Sequence, residues 1–211
     1  EDDEQIAEAL AVSEGTNNLP INVPIWAPSG GTWARFRIST LPDIGPTGGV
    51  SNGEVEDYPL TVTEVGVTTR HYPNESSFTS FAFEDKYPQL GDFDMNDVLM
   101  NLRYTEYIKD GQVIRIKLEG QVAALGGRYH NGFGIQIPGI DPASIKGDSI
   151  AHFVNSVRQS NYALEENRIS AVLVASENLW DITQPGESGC RFFRVEEGCG
   201  TTSRPNWQMT V

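Results

Sequence analysis

Basic residues are scarce in this 211-residue chain: 15 Lys and Arg stand against 29 Asp and Glu, for a net charge of -14 and a pI near 4.5. Such a surface offers no basic face to a phosphate backbone or an anionic bilayer, which argues against nucleic acid and membrane partners. Long apolar runs are missing too. No stretch approaches the roughly eighteen apolar residues of a membrane span, and the opening residues do not read as a signal peptide, so no membrane insertion is expected. Only two cysteines occur, Cys190 and Cys199. Facing each other on a hairpin they would form one disulfide, which suits an oxidising compartment; two buried free thiols is the other reading. The three histidines, His71, His130 and His152, are isolated and form no HExxH, so the usual zinc pattern is absent. There is no GxSxG, and no Cys has a His close in sequence, which removes the familiar nucleophile signatures.

What is abundant is turn chemistry. With 21 Gly, 12 Pro and 38% hydrophobic residues, the chain reads as many turns and short strands, a mainly β protein of two β-sandwich-like modules. Residues 1–65 hold 2 of the basic and 11 of the acidic residues, and the composition changes near Val65. We therefore expect one domain at 1–65 and a second at 66–211. Ile6, Ala9 and Leu10 have helical spacing, in a segment too short to stand alone. In the first domain residues 32–39 alternate Trp33, Arg35 and Arg37 with Ala34, Phe36 and Ile38, a half-buried strand. Residues 54–63 form its second strand, with Glu54, Glu56 and Tyr58 on one face, and pairing of the two predicts a structural ladder of carboxylates and guanidiniums.

In the second domain strands are predicted at 79–83, 98–108, 133–137, 169–175, 191–195 and 207–211. Val98, Met100 and Leu102 alternate with polar partners, as do Ile114, Ile116, Leu118 and Val122 after Lys109-Asp110-Gly111. Asp-Gly between two alternating runs marks a hairpin. Ile145, Ile150, Phe153, Val154 and Val157 suggest one short helix over about 149–157. The chain opens on Glu1-Asp2 without a Met and ends inside a predicted strand, so we expect it to be part of something longer.

Residues 83–97, FEDKYPQLGDFDMND, carry the one chemical signal. They concentrate Glu84, Asp85, Asp92, Asp94, Asp97 and Asn96 around a single Lys. So many carboxylates repel one another unless a cation sits among them. Asp92, Asp94 and Asn96 stand at i, i+2 and i+4, a spacing that lets short oxygen-bearing side chains converge on a hard ion, and Gly91 gives the loop its freedom to turn. This is no EF-hand: Asp97 replaces the Gly at the sixth position and Arg103 the Glu at the twelfth. Predicted strands flank the loop, so Glu84 and Asp85 upstream are candidates for the remaining ligands of a Ca²⁺ ion. The plain alternative is a solvated acidic turn.

Two stretches resemble known families. Gly53 to Tyr58, GEVEDY, preceded by ARFRIST and by the opening DDEQI, is similar to the GEVED domain. That likeness covers about 1–65 and implies a β-sandwich module of secreted and surface proteins of bacteria, lacking its first strands. FAFEDKYPQLGDFDMNDVLMNLRY and YHNGFGIQIPG resemble the LruC-type domain of bacterial exported proteins. This second likeness implies that the FED…GDxDxND block binds calcium through Glu84, Asp85, Asp92, Asp94, Asn96 and Asp97, and that the domain continues past Val211.

Together these readings lead us to expect a non-catalytic, calcium-binding module of an extracellular or cell-surface bacterial protein. Its role would be adhesion or binding, with a glycan, a peptide or another surface protein as partner. A carbohydrate-active enzyme or its accessory domain is the alternative, as is a structural spacer. Exposed tryptophans among Trp26, Trp33, Trp180 and Trp207 would favour sugar binding, though Trp in a β protein more often fills core. A glycosidase wants two carboxylates across a cleft, and five crowded into one loop are not that pair. His130 draws interest because the Gly-rich turn around it can approach the acidic loop.

Overall fold

Antiparallel pairing dominates the computed structural model, which describes residues 5–21, 23, 27, 29–42, 44–145, 150–160, 163–183, 192–194 and 204–211. The mainly β expectation holds, with several antiparallel sheets and one short α-helix among the described residues. Two compact units divide the chain, Glu1–Val65 and Gly66–Val211.

In the first unit β1 (Gly30–Ile38) pairs with β2 (Glu54–Val62). Arg35 lies opposite Asp57 and meets it in a two-pronged ion pair at 2.8 Å. The predicted ladder ends at that single rung. Arg37 faces Val55 across the register, and its guanidinium donates instead to the carbonyls of Gly45, Thr47 and Gly48. Glu54 and Glu56 lie on the opposite face, where Phe36 packs edge-on against Tyr58 at 5.6 Å. Gly53 connects to β2 at φ 113°, and a Cβ there would lie 2.0 Å from the Ile38 carbonyl oxygen, so only glycine fits.

The second unit is built on a large sheet. β3 (Val67–Tyr72) and β4 (Thr79–Phe83) both pair along one side of β5 (Val98–Lys109), whose other side pairs with β6 (Gln112–Leu125). Asp110 and Gly111 close that hairpin with φ of 51° and 78°, the doubly left-handed turn that Asp-Gly favours. Next to β6 come β12 (Asn206–Thr210), β8 (Ala151–Val154) and β9 (Val157–Arg158), while β11 (Phe193–Arg194) pairs with the end of β6. A second sheet joins β7 (Phe133–Ile137) to β10 (Ala171–Ser176). The core includes Met100, Leu118, Val122, Trp207 and Met209 from the large sheet and Leu173 and Ala175 from the small one. Trp207 lies directly over Gly120, where a Cβ would come within 2.1 Å of the indole. Removing a side chain at position 120 is thus what lets the largest core residue lie flat.

The helix expected over 149–157 is not formed. Ala151–Val154 is strand β8, with His152 and Val154 turned toward the core and Phe153 away, because the pairing with β12 outweighs a weak helical spacing. The short α-helix of this unit is instead α1 (Leu179–Ile182), capped by the Asn178 side chain, which accepts from Trp180 N at 3.1 Å. Cys190, Cys199 and Trp26 lie outside the described residues, as do Ser149 of the expected helix and Arg191 and Val195 of the strand predicted at 191–195. No helix among the described residues is long and apolar enough to cross a membrane.

Candidate metal centre

Phe83 and Val98 are paired across β4 and β5, so the acidic loop is clamped at both ends by one antiparallel ladder. Its upstream end is tied to the interior by rings: Phe83 packs on Phe133 at 6.0 Å and Phe133 on Trp207 at 5.9 Å. Between these anchors the backbone is left-handed at Phe93 (φ 54°) and Met95 (φ 54°), which coils the Asp92–Asn96 stretch back on itself.

That coil brings Glu84, Asp92 and Asp94 together: a carboxylate oxygen from each lies within 4.8 Å of the other two. Glu84 is partly buried, and Asp92 and Asp94 are exposed. Glu84 also accepts from Met95 N at 3.3 Å, which joins the two halves of the loop. Its carboxyl is held above the usual carboxylate range, first by desolvation and then by the charge of Asp97, with Asp92 adding to it and the Met95 amide opposing. Glu84 thus carries its charge beside other acids at an electrostatic cost.

The other three predicted ligands are placed differently. Asn96 turns its amide to Asp94 and donates a hydrogen bond to it. Asp97 accepts from Asp85 N at 2.8 Å, and Asp85 accepts from Asn131 Nδ2 at 2.6 Å. Asp85 and Asp97 therefore flank the first three as a neighbouring carboxylate pair rather than joining the close trio.

The connection from β6 to β7 closes the site from the other side, and sequence spacing within the loop gives no sign of it. Gly126 N donates to the Asn96 carbonyl at 2.9 Å. A Cβ on Gly126 would fall 1.9 Å from Asn96 Oδ1, and one on Gly127 would fall 2.6 Å from Asp97 Oδ1 and 2.9 Å from Asp85 Oδ2. The two glycines form a cradle with no side chains of its own, filled by the loop's acids and amide. The Gly-Gly pair directly after a strand is the signal in the sequence that points to such a close approach. His130 stands in the same connection with its Nδ1 3.2 Å from Asn178 Nδ2, whereas His71 bonds Thr105 Oγ1 and buried His152 bonds the Ala175 carbonyl.

The donor set fits a hard cation. Every group in the trio is a carboxylate, there is no sulfur or imidazole among them, and two of the three remain open to solvent. Lys86, the one cation within the loop's own sequence, makes no ion pair with any described carboxylate.

Comparison with known families divides the chain in the same order. Residues 1–61 match the model of the GEVED domain, and residues 111–211 match that of a domain of unknown function, DUF4842. The two matches thus run in the order of a GEVED domain followed by a different one. The LruC type is not among these matches and stays a resemblance, and the acidic loop falls between the two matched stretches. No curated protein and no solved structure matches the chain.

Proposed function

We propose that this chain is a non-catalytic, calcium-binding module of an exported bacterial protein, with a role in adhesion or ligand binding outside the cell. The observation that carries the reading is the convergence of Glu84, Asp92 and Asp94 within 4.8 Å on a loop clamped between two paired strands. Three features support calcium as the ion. The donors are hard oxygens, and the coil through Phe93 and Met95 aims them inward at a backbone cost on the order of 1 kcal/mol per residue. Glu84 is pushed toward protonation first by desolvation and then by the charges of Asp97 and Asp92, a cost that a divalent cation offsets. The exposed Asp92 and Asp94 leave room for water or further oxygens, which suits an ion that takes six to eight ligands better than one that demands a tight octahedron.

When bound, calcium supplies positive charge and fixed geometry. The chain's own residues do the rest. Glu84 ties the start of the loop to Met95, Asp97 holds the Asp85 backbone, and Asp85 reaches Asn131. Ion binding is thereby coupled to the order of both connections. A partly exposed site of three acids belongs at the weak end of the calcium scale, with a Kd of about 10⁻⁴–10⁻³ M as in other extracellular modules.

The test is thermal unfolding of chelator-treated protein with calcium or magnesium restored. Calcium should raise the melting temperature saturably and magnesium should not. An identical melting curve in chelator and in calcium would reject the reading.

A further inference from the structure

Beside the acidic loop lies an open cleft of about 390 Å³ lined by Asp85 and Lys86 from one connection and by Tyr129, His130 and Asn131 from the other. We infer that this cleft is a binding site for a neutral saccharide. The inference deepens the proposed function and rests on it in part, because Asp85 is anchored through Asp97 of the metal loop.

The walls are held in place from behind. Leu179 N donates to the Asn131 carbonyl at 2.8 Å, Trp180 Nε1 to the Tyr129 carbonyl at 3.2 Å, and Asn178 Nδ2 meets His130 Nδ1 at 3.2 Å. The short helix α1 and its cap thus fix the backbone of Tyr129 and Asn131 and the imidazole of His130 on one wall. On the other wall, Asp85 is fixed at its backbone by Asp97 and at its side chain by Asn131. Preorganisation of this kind lowers the ordering cost of binding.

The chemistry of the lining selects the ligand. Tyr129 is 60% exposed, an aromatic residue at the cleft with much of its surface open to a ligand. Around it stand a carboxylate, an ammonium, an amide and an imidazole, which together offer both donors and acceptors. A hexopyranose has that same mixture, with an apolar C–H face and a rim of hydroxyls. An apolar ligand would offer no partner to the Lys86 ammonium or to the donors and acceptors of the lining that their mutual hydrogen bonds leave over. Asp85 and Lys86 cancel in charge, and the carboxylates of the metal loop lie close by, so a neutral sugar meets less repulsion than an anionic one. The volume is at the lower end of small-molecule sites, which suits one or two sugar rings.

The experiment follows backbone amide signals of the calcium-loaded chain by NMR during titration with methyl hexopyranosides of gluco, galacto and manno configuration, with methyl glucuronide as charged control. At least one neutral glycoside should shift the amides of residues 129–131 saturably. Tyr129→Ala should weaken that binding about tenfold or more while leaving the calcium-dependent melting shift intact. Lys86→Ala should weaken it less. No neutral glycoside shifting these amides, binding of the glucuronide alone, or undiminished binding to Tyr129→Ala would each overturn the inference. Glycoside binding without calcium stabilisation would instead reject the metal reading and leave the saccharide site standing.

Discussion

On the polar face of the large sheet, Glu119 lies between two cations: Arg103 grips it with both Nε and Nη2, at 3.0 and 2.9 Å, and Lys117 approaches to 3.2 Å. In the loop between β4 and β5, Glu84, Asp92 and Asp94 come within 4.8 Å of one another with no basic side chain in an ion pair among them. Burial alone pushes the Glu119 carboxyl up, but the Arg103 hydrogen bonds and Lys117 bring it below the usual range. Glu84 moves the opposite way. In one place the chain supplies the counter-charge itself; in the other it gathers acids and, among the described residues, supplies none. On the proposed function, the difference separates a carboxylate used to hold strands in register from carboxylates left to an ion from solution.

The comparison breaks most decisively at Asp94. With calcium at about a hundredfold its Kd, the wild-type chain should gain about 2.7 kcal/mol in stability. Asp94→Asn should lose most of that gain at the same calcium concentration, measured by urea denaturation with and without the ion. An undiminished gain would mean that the trio is not the binding site. Glu119→Gln gives the middle-sized effect. It strips Arg103 of a charged, two-pronged partner that is only 16% exposed, which should cost about 1–2 kcal/mol. Its calcium response should match wild type, and a lost response would erase the distinction between the two regions.

How much of this can be read in the sequence depends on how local each decision is. Asp110-Gly111 is legible because the turn's positive φ angles are satisfied within two residues. Strands β4 and β7 are legible to the residue, since their alternating or bounded apolar runs have no helical competitor. Strand β8 is not, because Ile150, Phe153, Val154 and Val157 fit a helix by spacing and only the distant partner β12 decides. Arg37 shows the same limit: its partners are backbone carbonyls of a loop, and no side-chain pattern announces those. In the acidic loop Asp92 and Asp94 stand out because they are two residues apart. The Gly-rich turn around His130 is legible as a neighbour of that loop, but the particular contacts of Gly126, Gly127 and Asn131 are not, since they form only after β5 and β6 have paired. The tryptophans divide likewise: Trp207 fills the core because Gly120 makes room, while Trp33 stays 70% exposed on its two-stranded ribbon.

The smallest expected effect is also the most specific to the contrast, and it concerns Glu84 without metal. A carboxyl whose pKa is higher in the folded than in the unfolded state binds its proton more tightly when folded. The metal-free protein is therefore penalised for carrying that charge: the penalty is absent below the unfolded pKa, grows as pH rises toward the folded value, and is complete above it. Glu119 has the opposite sign, contributing stability above its unfolded pKa that is lost as pH falls through the depressed folded one. Glu84→Gln removes the charge without removing bulk. In chelator at neutral pH the variant should melt slightly above wild type, and the gap should close as pH falls through the carboxylate range. In calcium the order should invert, because the wild type alone keeps all three acids for the ion. A variant that melts below wild type in chelator would show that these acids are not in conflict, and the loop would then be a solvated turn like any other.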